Sequence, residues 1–203
     1  MADLGALFLQ AVFVENMPLT YFLGLCTFLA LSRKPGTAVG LGAAMTVVMG
    51  VTIPLNQVIY TAVLAPGAWA WLGMPDVDLS YLSLVTFIGV IAASVQLLEM
   101  ALDRYLPAVY ASFGVFLPLL TIQCAILGGN LFMVERHYSL PEAAVYGVGS
   151  GLGFAIAVVM LGAIRARLVY ADLPAGLRGL GIAFLLAGMM SLGFSSFAQM
   201  AAS

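Results

Sequence analysis

Long, unbroken apolar runs constrain this chain more than any motif does. An α-helix rising about 1.5 Å per residue needs roughly 20 predominantly apolar residues to cross a hydrocarbon core about 30 Å thick. Six stretches meet that demand: approximately Leu4 to Leu31, Thr37 to Leu64, Tyr81 to Met100, Pro107 to Met133, Pro141 to Ile164 and Leu177 to Met200. Membrane β-strands would instead alternate polar and apolar residues over about ten positions. The predicted fold is therefore an all-α integral membrane protein, one transmembrane domain of six spans over residues 1–203. With 63% hydrophobic and 8% charged residues and a mean hydropathy of +1.10, the composition belongs to the bilayer. The seven Lys and Arg residues, in a chain of net charge -2, are too few and scattered for a nucleic-acid partner.

The segments between runs are short and polar: Ser32-Arg33-Lys34-Pro35-Gly36, Ala65 to Ser80, Asp103-Arg104, Glu135-Arg136-His137 and Arg165 to Gly176. None is long enough to be a soluble domain, so catalysis on a large soluble substrate falls to a partner. Arg33, Lys34, Arg104, Arg165, Arg167 and Arg178 lie on one predicted side and Arg136 alone on the other. By the positive-inside rule the first side is cytoplasmic, and both termini are periplasmic. Asp76, Asp78 and the belt-forming Trp69 and Trp71 then lie outside. The Met-Ala-Asp-Leu start has no basic n-region, so the first run reads as a retained span.

The chain also echoes itself. FLGLCTFLA around Cys26 resembles LTIQCAILG around Cys124, and a proline precedes each, Pro18 and Pro118. TAVGLGAAMTVVMG from Thr37 resembles AVYGVGSGLGFAIAVVMLG from Ala144, whereas the third spans match weakly. Because each half holds three spans, the second enters the bilayer from the opposite side. This predicts two inverted-topology three-helix repeats, approximately 1–103 and 104–203, an architecture that puts sites near the midplane. Proline removes a backbone donor and clashes with the preceding turn, so spans one and four are expected to be broken helices with Cys26 and Cys124 at matched depths.

Three readings of those thiols stand at this point. A structural disulfide is disfavoured by depth and by low cysteine density. A buried cysteine acting as a small hydrophobe is the plain reading. Metal ligation is the third, since soft thiolates select iron, zinc or iron-sulfur centres with four ligands. The chain holds only two cysteines, and its lone His137 falls in a loop, so such a site needs ligands from another subunit.

Glu15 and Asn16 stand just ahead of Pro18; they either coordinate sodium or cap the broken helix. Glu99 and Asp103 share a helix face if that helix continues, and either collect sodium at the cytoplasmic mouth, as oxygen ligands suit a hard cation, or pair with Arg104. The glycines at 147, 149, 151 and 153 have no preceding strand, so they read as helix packing, with Gly149-x-x-x-Gly153 and Gly36-x-x-x-Gly40 as small-residue contacts. The eleven methionines read as core filler.

VFVENMPLTYFLGLCTFLALS, TFIGVIAASVQLLEM, GVFLPLLTIQCAILGG and DLPAGLRGLGIAFLLAGMMSLGF resemble, nearly end to end, the family of membrane subunits shared by sodium-translocating NADH:quinone reductases and Rnf complexes. VFVENM and GLRGLGI favour the reductase branch. The resemblance implies that two homologous subunits each give two cysteines, from broken helices one and four, to an iron centre held between them at mid-membrane, a single iron or a [2Fe-2S] cluster. In this chain those positions are Cys26 and Cys124, and the homologous D subunit would bring the other two. The implied task, within a six-subunit complex of the bacterial inner membrane, is to relay electrons from NADH towards quinone, coupled to sodium export. No NADH, flavin or quinone motif and no complete active site lie on this chain. Two alternatives remain: an Rnf-type role with ferredoxin and NAD+, and an inverted-repeat transporter or channel with no redox centre.

Overall fold

A computed structural model describes residues 4–32, 35–65, 80–105, 117–170 and 179–202. The described residues are helical with short connections. Helix α1 (Leu4–Leu9) passes into a π-helical turn (Gln10–Val14), followed by α2 (Met17–Thr20), α3 (Leu25–Leu31), α4 (Pro35–Ile59) with its own terminal π turn (Tyr60–Leu64), and a 3₁₀ turn (Ser80–Leu82) that leads into α5 (Ser83–Tyr105). Then come α6 (Leu117–Thr121), α7 (Cys124–Glu135), α8 (Leu140–Leu168) and α9 (Leu180–Ala202).

Four of the six predicted spans are long, apolar helical stretches among the described residues: Gly36–Leu64, Ser83–Tyr105, Pro118–Glu135 and Leu140–Leu168. The first predicted span, Leu4 to Leu31, is not one helix but three short ones, as its proline suggested. The sixth is α9, apolar over Leu180–Ser196. The predicted start of the fourth span at Pro107 lies outside the described residues, as do Arg33, Lys34, Trp69, Trp71, Asp76, Asp78 and Arg178.

The chain forms two compact units that interleave its two sequence halves: Met1–Val47 with Val148–Ser203, and Val48–Gly147. In the first, α9 packs on the π turn Gln10–Val14 and on α2. Its core holds Met17, Leu19, Phe28, Met45 and Phe154, with Phe28 and Phe154 edge to face at 6.4 Å. Glycine lets these helices touch. A Cβ on Gly149 would meet Ala11 Cβ at 2.9 Å, one on Gly153 would meet the Val12 carbonyl oxygen at 2.8 Å, and one on Gly42 would meet Ala155 Cα at 2.9 Å. The packing reading of Gly149 and Gly153 holds. The same reading of Gly36 does not, because a Cβ there meets nothing within 4 Å.

In the second unit α5 packs on α6 and α7. Phe87, Ile91 and Val95, one stripe at helical spacing, are buried. Val85, Leu97 and Met100 on the rest of α5 are more than half exposed. In water such an apolar exterior would be a liability; in a bilayer it is the face that lipid or a partner helix covers, because lipid tails are as apolar as leucine. Two buried amides cross the unit: Asn56 Nδ2 donates to Asn130 Oδ1 at 2.7 Å, and Asn130 Nδ2 donates to the Ile126 carbonyl at 2.8 Å.

Helix α7 ends in a Schellman-type turn, with the Tyr138 amide donating to the Met133 carbonyl at 3.2 Å. His137 takes the left-handed position there, φ 52°, where glycine normally sits. Its Cβ costs about 1 kcal/mol in that conformation. His137→Gly is therefore expected to stabilise the protein by about that amount, read as a raised thermal midpoint, and an unchanged or lower midpoint would refute strain relief at this turn.

Candidate functional site

Pro18 has no N–H to give the carbonyl four residues earlier. Thr20 Oγ1 donates to that Val14 oxygen instead, at 3.0 Å. After α2 the chain turns through two left-handed residues, Phe22 at φ 55° and Gly24 at φ 81°. Phe22 costs about 1–2 kcal/mol there, whereas Gly24, lacking a Cβ, is at ease. The Leu19 carbonyl, orphaned by the break, accepts from Ser191 Oγ of α9 at 2.6 Å. The Gly24 carbonyl then accepts from the Phe28 amide and from Thr27 Oγ1, each at 3.0 Å, and α3 begins with Cys26 as its second residue.

A seven-residue helix is not stable alone, and α3 is clamped at its far end as well. Arg165 Nη1 donates to the Leu29 carbonyl and to Ser32 Oγ, both at 2.8 Å, and Ser32 is fully buried. The sequence pattern marked Arg165 only as a topological charge, yet it locks the Cys26 helix. Arg165→Met, which strands both acceptors, is expected to cost about 1.5–3 kcal/mol, as for hydrogen bonds to charged groups. A thermal midpoint equal to that of the unmodified protein would show that the clamp is idle.

In the second unit, α6 carries Pro118 and ends at Thr121, and α7 opens on Cys124 itself. The break spans two residues, against four between α2 and α3. The two extra residues hold the left-handed turn at Phe22 and Gly24. Gln123, extended at ψ 121°, is the N-cap, and its carbonyl accepts from the Ile126 amide at 3.2 Å. A cavity of about 250 Å³ lies beside the break, walled by Ile88 and Ile91 of α5 and by Ile122, Gln123, Cys124 and Leu127. Gln123 is 2% exposed, and neither polar atom of its side chain has a hydrogen-bond partner among the described residues. A buried, unsatisfied amide costs about 1–3 kcal/mol.

Both cysteines are exposed on the surface of the chain, and neither is in a disulfide. The chain's own packing does not cover them. Among the described residues no three His, Cys, Asp or Glu side chains gather as a metal site.

The predicted sodium ligands fall in two places. Glu15, 6% exposed, closes the first π turn and accepts from Gln10 Nε2 at 2.8 Å. Asn16 is fully buried and its Nδ2 donates to the carbonyls of Gly153, at 2.8 Å, and Val12, at 3.2 Å. Glu99 and Asp103 lie on α5, which continues past both, so they share a face; Glu99 is half-buried and Asp103 exposed. Sequence reasoning missed Arg165, Ser191, Asn56, Asn130 and Gln123. Amides inside apolar runs, in PLNQV and CAILGGNLF, were the available signal for Asn56 and Asn130, as the glutamine of LTIQC was for Gln123.

What stands here is a polytopic helical membrane protein with two broken helices, each presenting one surface thiol in the first turn after its break. The chain belongs to the family described as Rnf-Nqr subunit, membrane protein, which it matches over residues 4–201. It is 60% identical over 192 residues, 95% of each chain, to the E subunit of the Na(+)-translocating NADH-quinone reductase of Ectopseudomonas mendocina (strain ymp). The proteins of the same name from Shewanella denitrificans and Psychrobacter cryohalolentis are each 58% identical, covering 95% and 96% of both chains respectively.

Proposed function

We propose that this chain serves as a membrane subunit of a sodium-translocating NADH:quinone reductase, in the place that the E subunit takes among its relatives. There it supplies Cys26 and Cys124 as two of four thiolate ligands to an iron centre, a [2Fe-2S] cluster or a single iron, and the homologous D subunit supplies the other two. The single observation that carries this reading is the exposure of both thiols at the starts of half-helices. A shared site needs them facing outward, where a second subunit reaches them.

The donor chemistry fits. Two soft thiolates suit iron, and ligands from a second subunit complete the set. When bound, the centre supplies a one-electron relay near the middle of the bilayer. This chain's part is to hold two sulfurs in position, with clamps at Arg165, Ser191 and Asn130. The N-terminal end of α7 offsets part of the thiolate charge, as the macrodipole favours anions there.

Six spans in two inverted repeats, over about 1–103 and 104–203, rest on the sequence echo around the two cysteines, and one broken helix lies in each unit. The Lys and Arg bias supports periplasmic termini in the bacterial inner membrane. Glu99 and Asp103 serve as an oxygen-rich entry for sodium, with Glu15 and Asn16 as further oxygen ligands. The reductase name carried by the relatives favours this role over the Rnf one, and the subunits that co-purify decide between them.

The test is iron and acid-labile sulfide measured together on the intact purified complex. Bound iron whose visible absorption bleaches with NADH is the expected result. An iron-free complex that still couples NADH oxidation to sodium transport overturns the reading in favour of a transporter role for this chain.

A further inference from the structure

At the position just before the thiol the two half-sites differ in polarity. When FLGLC is laid on LTIQC, Leu25 matches Gln123. Leucine is what packing against apolar neighbours selects. Gln123 occupies its position in a cavity walled by Ile88, Ile91, Thr121, Ile122 and Leu127. It is 2% exposed and neither Nε2 nor Oε1 has a partner among the described residues. A buried amide with no partner is destabilising, and the same cavity is lined by Cys124. Thr121 and Cys124 are the other lining residues with polar side-chain atoms, and the centre read at Cys124 brings sulfur acceptors to that side of the amide.

We propose that Gln123 is a positioning residue of the Cys124 half-site, its carboxamide N–H donating a hydrogen bond to a sulfur of the centre held there, with no counterpart at Cys26. The inference rests on the reading of Cys124 as an iron ligand. Its consequence is a sign. A reduced centre carries one more negative charge than the oxidised one, so a donor N–H favours the reduced state and raises the potential. Hydrogen bonds to the sulfurs are among the levers that set such potentials. Gln123 also makes the two half-sites electrically unequal, because the Leu25 side chain has nothing to donate.

The experiment uses the whole complex with Gln123→Leu, which restores the residue of the other repeat, and Gln123→Met, which keeps the length of the side chain and removes the donor without adding charge. Iron and sulfide contents are measured first, then the midpoint potential by redox titration, with the electron paramagnetic resonance spectrum of the reduced centre. Both variants are expected to retain iron, to shift the potential in the negative direction by about tenfold in the reduction equilibrium, or about 59 mV for one electron, and to change the g values. Should Gln123→Leu fail to assemble, the uncharged Gln123→Met of similar length decides alone. Iron retained with potential and spectrum unchanged overturns this inference and leaves the cysteine assignment standing. An unmodified complex without iron overturns both.

Discussion

Cys26→Ala and Cys124→Ala are each expected to abolish the bound iron of the complex while leaving the chain folded. Both thiols are exposed on this chain, so truncation opens no cavity in its core. Surface substitutions of that kind are usually within about 0.5 kcal/mol of neutral. A four-ligand iron centre, in contrast, loses a quarter of its donor set, and neither half-helix offers another soft ligand: the first turn of α3 holds Leu25, Thr27 and Phe28, and that of α7 holds Ala125, Ile126 and Leu127. The result to look for is a complex of normal subunit content and thermal midpoint with no iron, no visible absorption and no electron transfer to quinone. If either variant kept its full iron content, that cysteine would not be a ligand. If both lost iron only together with the chain itself, the thiols would have a structural role.

Gly151→Val is expected to prevent the first unit from closing. A Cβ on Gly151 would lie 2.5 Å from Thr46 Cα, 3.2 Å from the Thr46 nitrogen and 3.3 Å from the Met45 carbonyl oxygen. All three are backbone atoms of α4, which no rotamer change can move aside. Carbon atoms prefer about 3.5–4.0 Å, so α8 and α4 would have to separate by about 1 Å, and the two methyl groups of valine widen the gap further. Overpacking costs typically about 1–3 kcal/mol and more when backbone obstructs. Gly149 and Gly153 already touch Ala11 and Val12 closely on another face of α8, so the helix has little room to give. The expected phenotype is a loss of assembled complex and of iron. Gly188→Ala on α9, where a Cβ meets nothing within 4 Å, is the control and is expected to be neutral. A Gly151→Val complex with the yield and melting behaviour of the unmodified protein would refute the close contact.

Much of the fold was legible in the residues because a bilayer leaves few options. With no water to satisfy backbone groups, an apolar run must be a helix, so α4, α5, α8 and α9 could be read from composition and length. The break at Pro18 was legible because proline lacks a donor, and the packing role of the 147–153 glycines because only small residues let backbones touch. The cysteine repeat was legible as a motif. What replaced the lost hydrogen bonds was not. Thr20 serving Val14 is local, but Ser191 lies 172 residues from Leu19 and Arg165 lies 136 from Leu29. Such partners follow from which helices pack together, which no periodicity encodes. Gly36 makes the same point in reverse: a small-xxx-small spacing carries no information about whether a neighbour is there to be approached.

The sequence by itself determined that this chain is helical and membrane-spanning, where two helices break, and that two thiols follow the breaks, because apolar length, proline and residue identity act within one turn of the chain. Only the tertiary structure decided that both thiols face outward, that Arg165 and Ser191 hold the Cys26 half-helix, and that Gln123 is buried unpaired beside Cys124. Those facts depend on which surfaces meet across distant parts of the chain, and exposure and hydrogen-bond satisfaction are properties of the packed chain.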